Sequence, residues 1–148
     1  MSDITVNFHE TEPMPDEFLK FAVIAARYNG KWVFCRHKER DTYEIPGGHR
    51  ESGESIDDTA KRELIEETGA IEFDITPVNV YSVTIDGATT FGKLYFAEIF
   101  ALGLLSSKSE IAEIYHFDKL PEKLTYPAIQ PELYRKTQKW LNQQSTKD

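Results

Sequence analysis

The chain has a single cysteine, Cys35, among 148 residues, so no internal disulfide can form and a reducing, cytoplasmic setting is expected. Long hydrophobic runs are also missing. The longest is Phe21–Ala26, far short of the roughly 20 residues that a membrane-spanning helix needs, so no membrane partner is expected. The first residues, Met1-Ser2-Asp3-Ile4, lack the basic-then-apolar order of an export signal. Basic residues are scarce: 17 Lys and Arg stand against 25 Asp and Glu, a net charge of −8. That balance argues against a broad nucleic-acid or anionic-lipid surface. It leaves room for a small phosphorylated ligand, because a metal ion can supply the missing positive charge. No internal repeat or low-complexity tract occurs. What is present, 40% hydrophobic and 28% charged residues, is the balance of an ordinary globular protein, and the length suits one domain spanning residues 1–148.

Apolar, β-friendly runs at Phe21–Arg27 and Lys31–Cys35 flank Asn29-Gly30, a strong hairpin signal. Strands are also expected at Ile71–Ile75, Val78–Ile85, Phe91–Ala101 and Ile111–Phe117, with a turn at Asp86-Gly87. The stretch Ser55–Thr68 reads as a helix: Ser55 can cap it, Asp58 follows three residues on, and Gly69 sits where a left-handed stop belongs. A last helix is expected to begin with Pro131. Leu133, Thr137, Trp140 and Leu141 give it an i, i+4, i+7, i+8 stripe. Such an order predicts an α/β fold, a mixed β-sheet with helices on its faces.

Chemistry concentrates between Gly48 and Ala70. Glu63, Glu66 and Glu67 fall on an arc of about 100° of one helix. Like charges this close repel, whereas a hard divalent cation such as Mg²⁺ wants oxygen ligands of this kind beside substrate phosphates. A solvated acidic face is the plain alternative. Glu67, however, projects between Ile56 and Ala60, on the side expected to face the sheet, where a carboxylate needs a partner. A metal is one candidate and Arg62 another, and Glu54 could in turn hold Arg62. Upstream, Pro46-Gly47-Gly48 is either an ordinary turn or a place where backbone passes close to a ligand.

Gly48, five residues, Glu54, seven residues, then Arg62-Glu63-Leu64-Ile65-Glu66-Glu67-Thr68-Gly69 resembles the Nudix box, departing only at Ala70, where the family prefers a larger aliphatic. The resemblance implies a Nudix-type α/β/α sandwich and hydrolysis of a nucleoside diphosphate linked to another group. Glu44-Ile45-Pro46-Gly47-Gly48 is most similar to the MutT-type branch, whose members act on oxidised nucleoside triphosphates. By that likeness Glu63, Glu66 and Glu67, with the Gly47 carbonyl, would hold Mg²⁺ (or Mn²⁺). Glu54 and Arg62 would orient them. Arg36 would meet phosphates, and Glu44 would belong to the substrate site. Glu110 or Glu113, on a late loop, would add a ligand or the general base, a role Glu66 could also fill.

The resemblance breaks at Pro127-Ala128-Ile129-Gln130-Pro131. There the MutT archetype has a base-reading asparagine and this chain has Ile129, which offers no hydrogen bond. Gln130 could substitute, although neighbouring side chains point in different directions, and broad base tolerance is expected. The implied partner is a small nucleotide, and the products are its monophosphate and pyrophosphate. Three other readings compete. A non-catalytic Nudix-like domain conflicts with the complete set of box carboxylates. An isopentenyl diphosphate isomerase would need a catalytic cysteine, and Cys35 lies inside an expected strand. An mRNA-decapping enzyme conflicts with the net acidity and the absence of accessory domains. The signatures of the ADP-ribose and coenzyme A branches are missing as well.

Overall fold

The computed structural model describes residues 3–9, 14–106 and 109–145; Met1 and Ser2 of the N-terminal segment lie outside them. Among the described residues, seven strands and two α-helices follow in the order β1 (Ile4–His9), β2 (Leu19–Tyr28), β3 (Lys31–His37), β4 (Gly47–His49), α1 (Ile56–Thr68), β5 (Ala70–Ile85), β6 (Ala88–Leu102), β7 (Ile111–Phe117) and α2 (Gln130–Ser145). The strands form one mixed sheet in the order β1-β5-β6-β2-β3-β7, with β4 also paired to β2. Only β2 and β6 run parallel among these pairs.

Strand alternation divides the core into two layers. Ala22, Ile24 and Ala26 face one way with Tyr95, Ala97 and Ile99, and are covered by Ile56, Ala60 and Leu64 of α1. Ala25, Trp32, Phe34, Leu94 and Phe96 face the other way, under Leu133 and Tyr134 of α2. The architecture is therefore the expected α/β sandwich. The stripe on α2 is buried as read: Leu133 and Thr137 are enclosed, and Trp140 and Leu141 pack against the second layer. Among the described residues no helix is long and apolar enough to cross a membrane.

The local signals account for the joints. Asn29 and Gly30 both take positive φ, as do Asp86 and Gly87, the conformation of the two-residue turns that match strand twist. Ser55 accepts the Asp58 N–H at 3.1 Å, and Gly69 closes α1 at φ 78°. Several elements differ from the sequence reading: β2, β3 and β6 run one to three residues further at one or both ends than expected. The expected strands 71–75 and 78–85 are one strand, β5, which absorbs Pro77 at a register shift between Pro77 and Asn79. The short strands β1 and β4 were not expected. α2 starts one residue earlier than expected, at Gln130.

A fork in the sheet positions the site. The N-terminal half of β2 pairs with β4 (Phe21 with His49, Val23 with Gly47), while its C-terminal half pairs with β3 (Ala26 with Val33). The sheet divides between them, and β4 leaves its outer edge against α1.

Candidate active site

The glycine pair explains how closely β4 and α1 approach. A Cβ on Gly48 would lie 2.3 Å from the Glu63 carboxyl carbon, and one on Gly47 would lie 2.5 Å from the Ala22 carbonyl oxygen. At Gly47 a side chain would meet backbone, and at Gly48 it would displace the end of the Glu63 side chain. The Gly47 N–H points away from β2 and donates to Glu67 Oε1 at 2.8 Å. In an extended strand a residue's N–H and C=O share an edge, so the Gly47 carbonyl also lies on the α1 side.

Arg62 is the hub of the acidic face. Its Nε donates to Glu54 Oε2 at 2.7 Å, its Nη1 to Glu63 Oε1 at 2.7 Å and to Glu66 Oε2 at 3.3 Å, and its Nη2 to the His49 carbonyl at 3.0 Å. Glu54 also accepts from the Thr59 hydroxyl at 2.6 Å. With Arg62 as the main cause and Thr59 next, its carboxyl is lowered to about 2. The same carboxylate, with Glu63 behind it, holds the Arg62 guanidinium above its usual range.

Glu67 is outside that network. Its side chain is only 12% exposed and lacks an arginine; besides Gly47 it meets the Cys35 thiol at 3.8 Å and His37 Nε2 at 3.7 Å. Burial drives its carboxyl up to about 8, against the Gly47 hydrogen bond, and repulsion from Glu63 and Glu44 adds to the rise. Burial likewise raises Glu63, with Arg62 opposing. A buried carboxylate short of positive charge is stabilised by a cation placed beside it. Among the described residues, no group of three or more His, Cys, Asp or Glu is arranged around one point. The donor chemistry nonetheless fits a hard divalent ion: three carboxylates and a backbone carbonyl, all oxygen.

A cleft of about 640 Å³ passes this cluster. Its polar end is bounded by Glu63, Glu67, His37, Arg40, Glu44 and Glu110, and its far end by Phe21, Val23, Tyr81, Val83, Ile129 and Leu133. A second hollow of about 460 Å³ adjoins it, between Arg62, Glu66, Ser109 and Glu110. Glu44 is buried, its carboxylate taken by Arg40 and by His37 Nε2 at 3.3 Å. Glu110 is exposed at the mouth, 4.0 Å from His37 Nδ1.

The fold thus gathers Gly47, Arg62, Glu63, Glu66, Glu67, Glu44, Glu110, Ile129 and Gln130 around two adjoining hollows, with Glu54 behind Arg62. It does not bring Arg36 or Glu113 there. These two are register partners on β3 and β7 and contact each other at 3.6 Å. Arg36 is further held by the Tyr115 hydroxyl and the Arg40 carbonyl. Strand alternation explains the difference: Cys35 and His37 face α1, so Arg36 between them faces away. Arg40 stands at the cleft where Arg36 was expected. His37 and Arg40 escaped the sequence reading, although alternation from Cys35 could have found His37. Cys35 is fully buried and its thiol is raised well above its usual range by burial and by Glu67, the opposite of what a nucleophilic thiolate needs.

The NUDIX domain model matches residues 19–136. A protein of Bacillus subtilis (strain 168) named "Putative 8-oxo-dGTP diphosphatase YtkD" is 33% identical over 106 residues, covering 72% of this chain and 66% of its own. The ADP-ribose pyrophosphatase of the same organism is 34% identical over 96 residues, covering 62% of this chain and 51% of its own. The matched segments thus span just under two thirds of one relative's length and about half of the other's. Among solved structures, a mutant form of the Bacillus subtilis pyrophosphohydrolase BsRppH superposes with a TM-score of 0.77 at 26% identity, over 92% of this chain and 91% of that one.

Proposed function

This chain belongs to the NUDIX family, and from that premise we propose that it is a Mg²⁺-dependent hydrolase of nucleoside triphosphates, releasing the monophosphate and pyrophosphate. The observation that carries the reading is Glu67, a buried carboxylate raised to about 8 for want of a counter-charge, at the polar end of a cleft whose other end is apolar and aromatic. Phosphates suit the first end once a cation is bound, and a nucleobase suits the second. Glu63, Glu66 and Glu67, with the Gly47 carbonyl, would hold the ion. Bound there, Mg²⁺ supplies charge neutralisation at the phosphate oxygens and a lowered pKa for an attacking water.

The remaining work falls to the chain. Glu54 fixes Arg62, and Arg62 fixes Glu63 and Glu66, so the carboxylates are held in place before substrate arrives. Arg40 reaches the phosphates from the loop after β3. Glu110, at the mouth, takes the proton as water attacks the α-phosphorus and pyrophosphate leaves. The names of the relatives support cleavage within a di- or triphosphate and differ in what it is attached to, so ADP-ribose is a needed arm of the test.

The experiment is a panel of ordinary and oxidised nucleoside triphosphates, ADP-ribose and a nucleotide sugar, with Mg²⁺ or Mn²⁺, scored separately for pyrophosphate and phosphate. Pyrophosphate release from a triphosphate is the expected result. Binding without turnover of any member would mean a non-catalytic nucleotide-binding domain.

A further inference from the structure

Glu110 is the proton acceptor of the proposed reaction, yet its own side chain is barely held. It is 86% exposed, and among the described residues its ion-pair contact is His37 Nδ1 at 4.0 Å. A long exposed side chain samples many rotamers, so its carboxylate stands where its backbone puts it. That backbone is tied on both sides. The Glu110 carbonyl accepts the Lys38 N–H at 2.9 Å, just past β3. Ser109, one residue earlier, ties it to α1: its hydroxyl donates to the Glu66 carbonyl at 3.1 Å and accepts the Ile111 N–H at 3.1 Å. The Glu66 carbonyl lies in the last turn of α1, where backbone oxygens lack intrahelical partners. The Ala70 N–H, four residues on, bonds the Thr68 hydroxyl at 3.2 Å instead. β7 then opens with a bulge, since Ile111 pairs with His37 and Glu113 with Arg36, leaving Ala112 between them. Without the extra residue Ile111 and Glu113 would share a face; with it, Ile111 turns to the His37 side and Glu113 to the Arg36 side. Bulges commonly re-aim side chains beside active sites.

We infer that Ser109 is a positioning residue: by tying its loop to α1 at Glu66, it sets where the Glu110 carboxylate stands against the carboxylates of that helix. The inference rests on the hydrolase reading with Glu110 as proton acceptor, and adds the residue that places it. In the step it serves, a water oxygen bonds to the α-phosphorus and one water proton passes to the Glu110 carboxylate. The bond from phosphorus to the bridging oxygen breaks, and its electron pair leaves with pyrophosphate. Ser109 touches neither water nor phosphate in this step. Its contribution is geometric, and geometry of this kind acts on kcat more than on binding.

Four variants test this on the nucleoside triphosphate that the wild type turns over fastest: Ser109→Ala, Ser109→Thr, Glu110→Gln and the Ser109→Ala/Glu110→Gln pair, each checked for native circular dichroism. Glu110→Gln is expected to lower kcat by about 10²-fold or more, the scale of a lost general base. Ser109→Ala should lower kcat by about 10- to 100-fold, the scale of a reacting group displaced by an ångström, with KM within about twofold. Ser109→Thr keeps the hydroxyl and should stay within about threefold of wild type. In the Glu110→Gln background, Ser109→Ala should cost less than about twofold, because the group it places is already gone. A merely structural role would cost the same factor in both backgrounds, and that result overturns the inference. So does a Ser109→Ala loss below about tenfold, or a Ser109→Thr loss as large as that of Ser109→Ala. Full activity in Glu110→Gln removes Glu110 as proton acceptor and this inference with it, and leaves the hydrolase reading standing. Turnover of no triphosphate by the wild type rejects that reading and the inference together.

Discussion

Replacing Glu67 with glutamine separates the two things its carboxylate does. In the metal-free protein burial lifts this group from its ordinary 4.5 to about 8. The folded state therefore holds the proton more tightly than the unfolded chain does. Between those two values the folded state carries more protons, so stability falls as pH rises and levels off above about 8. At about 1.36 kcal/mol per unit of difference, the loss between pH 4.5 and pH 7 is on the order of 3 kcal/mol. A glutamine in its place is neutral throughout, and its carbonyl oxygen can still accept the Gly47 N–H. Glu67→Gln should therefore be more stable than wild type at neutral pH, by a margin that shrinks toward about pH 4.5. Hydrolysis should drop by more than about 10²-fold, the scale of a lost stabilising or proton-transferring group. The assay is urea unfolding with chelator present, wild type and variant side by side from about pH 4.5 to about 8.5, a window spanning both pKa values, followed by rates with Mg²⁺. The difference between the two curves reports Glu67 together with its coupling to Glu63 and Glu44, and cancels the groups that do not interact with it. Parallel pH profiles would show that Glu67 carries no excess of uncompensated charge, and the argument for a cation there would fall with them.

Hydrolysis should vanish with chelator and return with Mg²⁺ or Mn²⁺; turnover by rigorously metal-free protein would contradict the mechanism. Arg40→Ala should raise KM for a nucleoside triphosphate by about tenfold, the cost of one charge-assisted contact, while Arg36→Ala should leave steady-state rates nearly untouched. The reverse ranking would restore Arg36 to the phosphate site. Gly48→Ala pushes on the Glu63 carboxylate, a flexible side-chain end, and should cost activity with little change in melting temperature. Gly47→Ala pushes on the Ala22 backbone and should lower the melting temperature outright. Acid should destabilise the protein as pH falls from about 4.5 toward about 2, because Glu54 is ionised in the fold down to the lower value. Glu54→Gln should flatten that limb of the unfolding curve.

Helix α1 was legible in the sequence to the residue because its signals are local. A serine cap, a glycine stop and carboxylates at i, i+3 and i+4 act within one or two turns, and no distant contact overrides them. The same holds for the two-residue turns at Asn29-Gly30 and Asp86-Gly87. Strand β1 escapes the sequence for the opposite reason. Ile4–His9 has no buried residue; the alternation of Ile4, Val6 and Phe8 is a strand signal only three repeats long, and the strand is held by its pairing with residues 80–85 of β5, a partner far along the chain. Strand β4 is three residues long and carries no hydrophobic pattern at all. Its existence is a consequence of β2 being long enough to pair with two strands in succession.

The same distinction runs through the site. The link from Glu54 to Arg62 is readable because it bridges the helix and its approach, within a few turns of chain. The exclusion of Glu67 from that link is not, since it depends on β4 bringing the Gly47 N–H to the helix from another part of the sheet. For Arg36, likeness supplies the residue type, and one step of strand alternation turns its side chain to the opposite face and hands the place to Arg40 in the following loop. For Gln130, the rule that adjacent side chains diverge holds in a strand and fails at a helix start. In both cases the difference lies in direction. Direction is set by where an element begins or ends: β3 runs on to His37 instead of stopping at Cys35, and α2 begins at Gln130 instead of Pro131. One or two residues are enough here to turn Arg36 away from the cleft and to place Ile129 and Gln130 along it together.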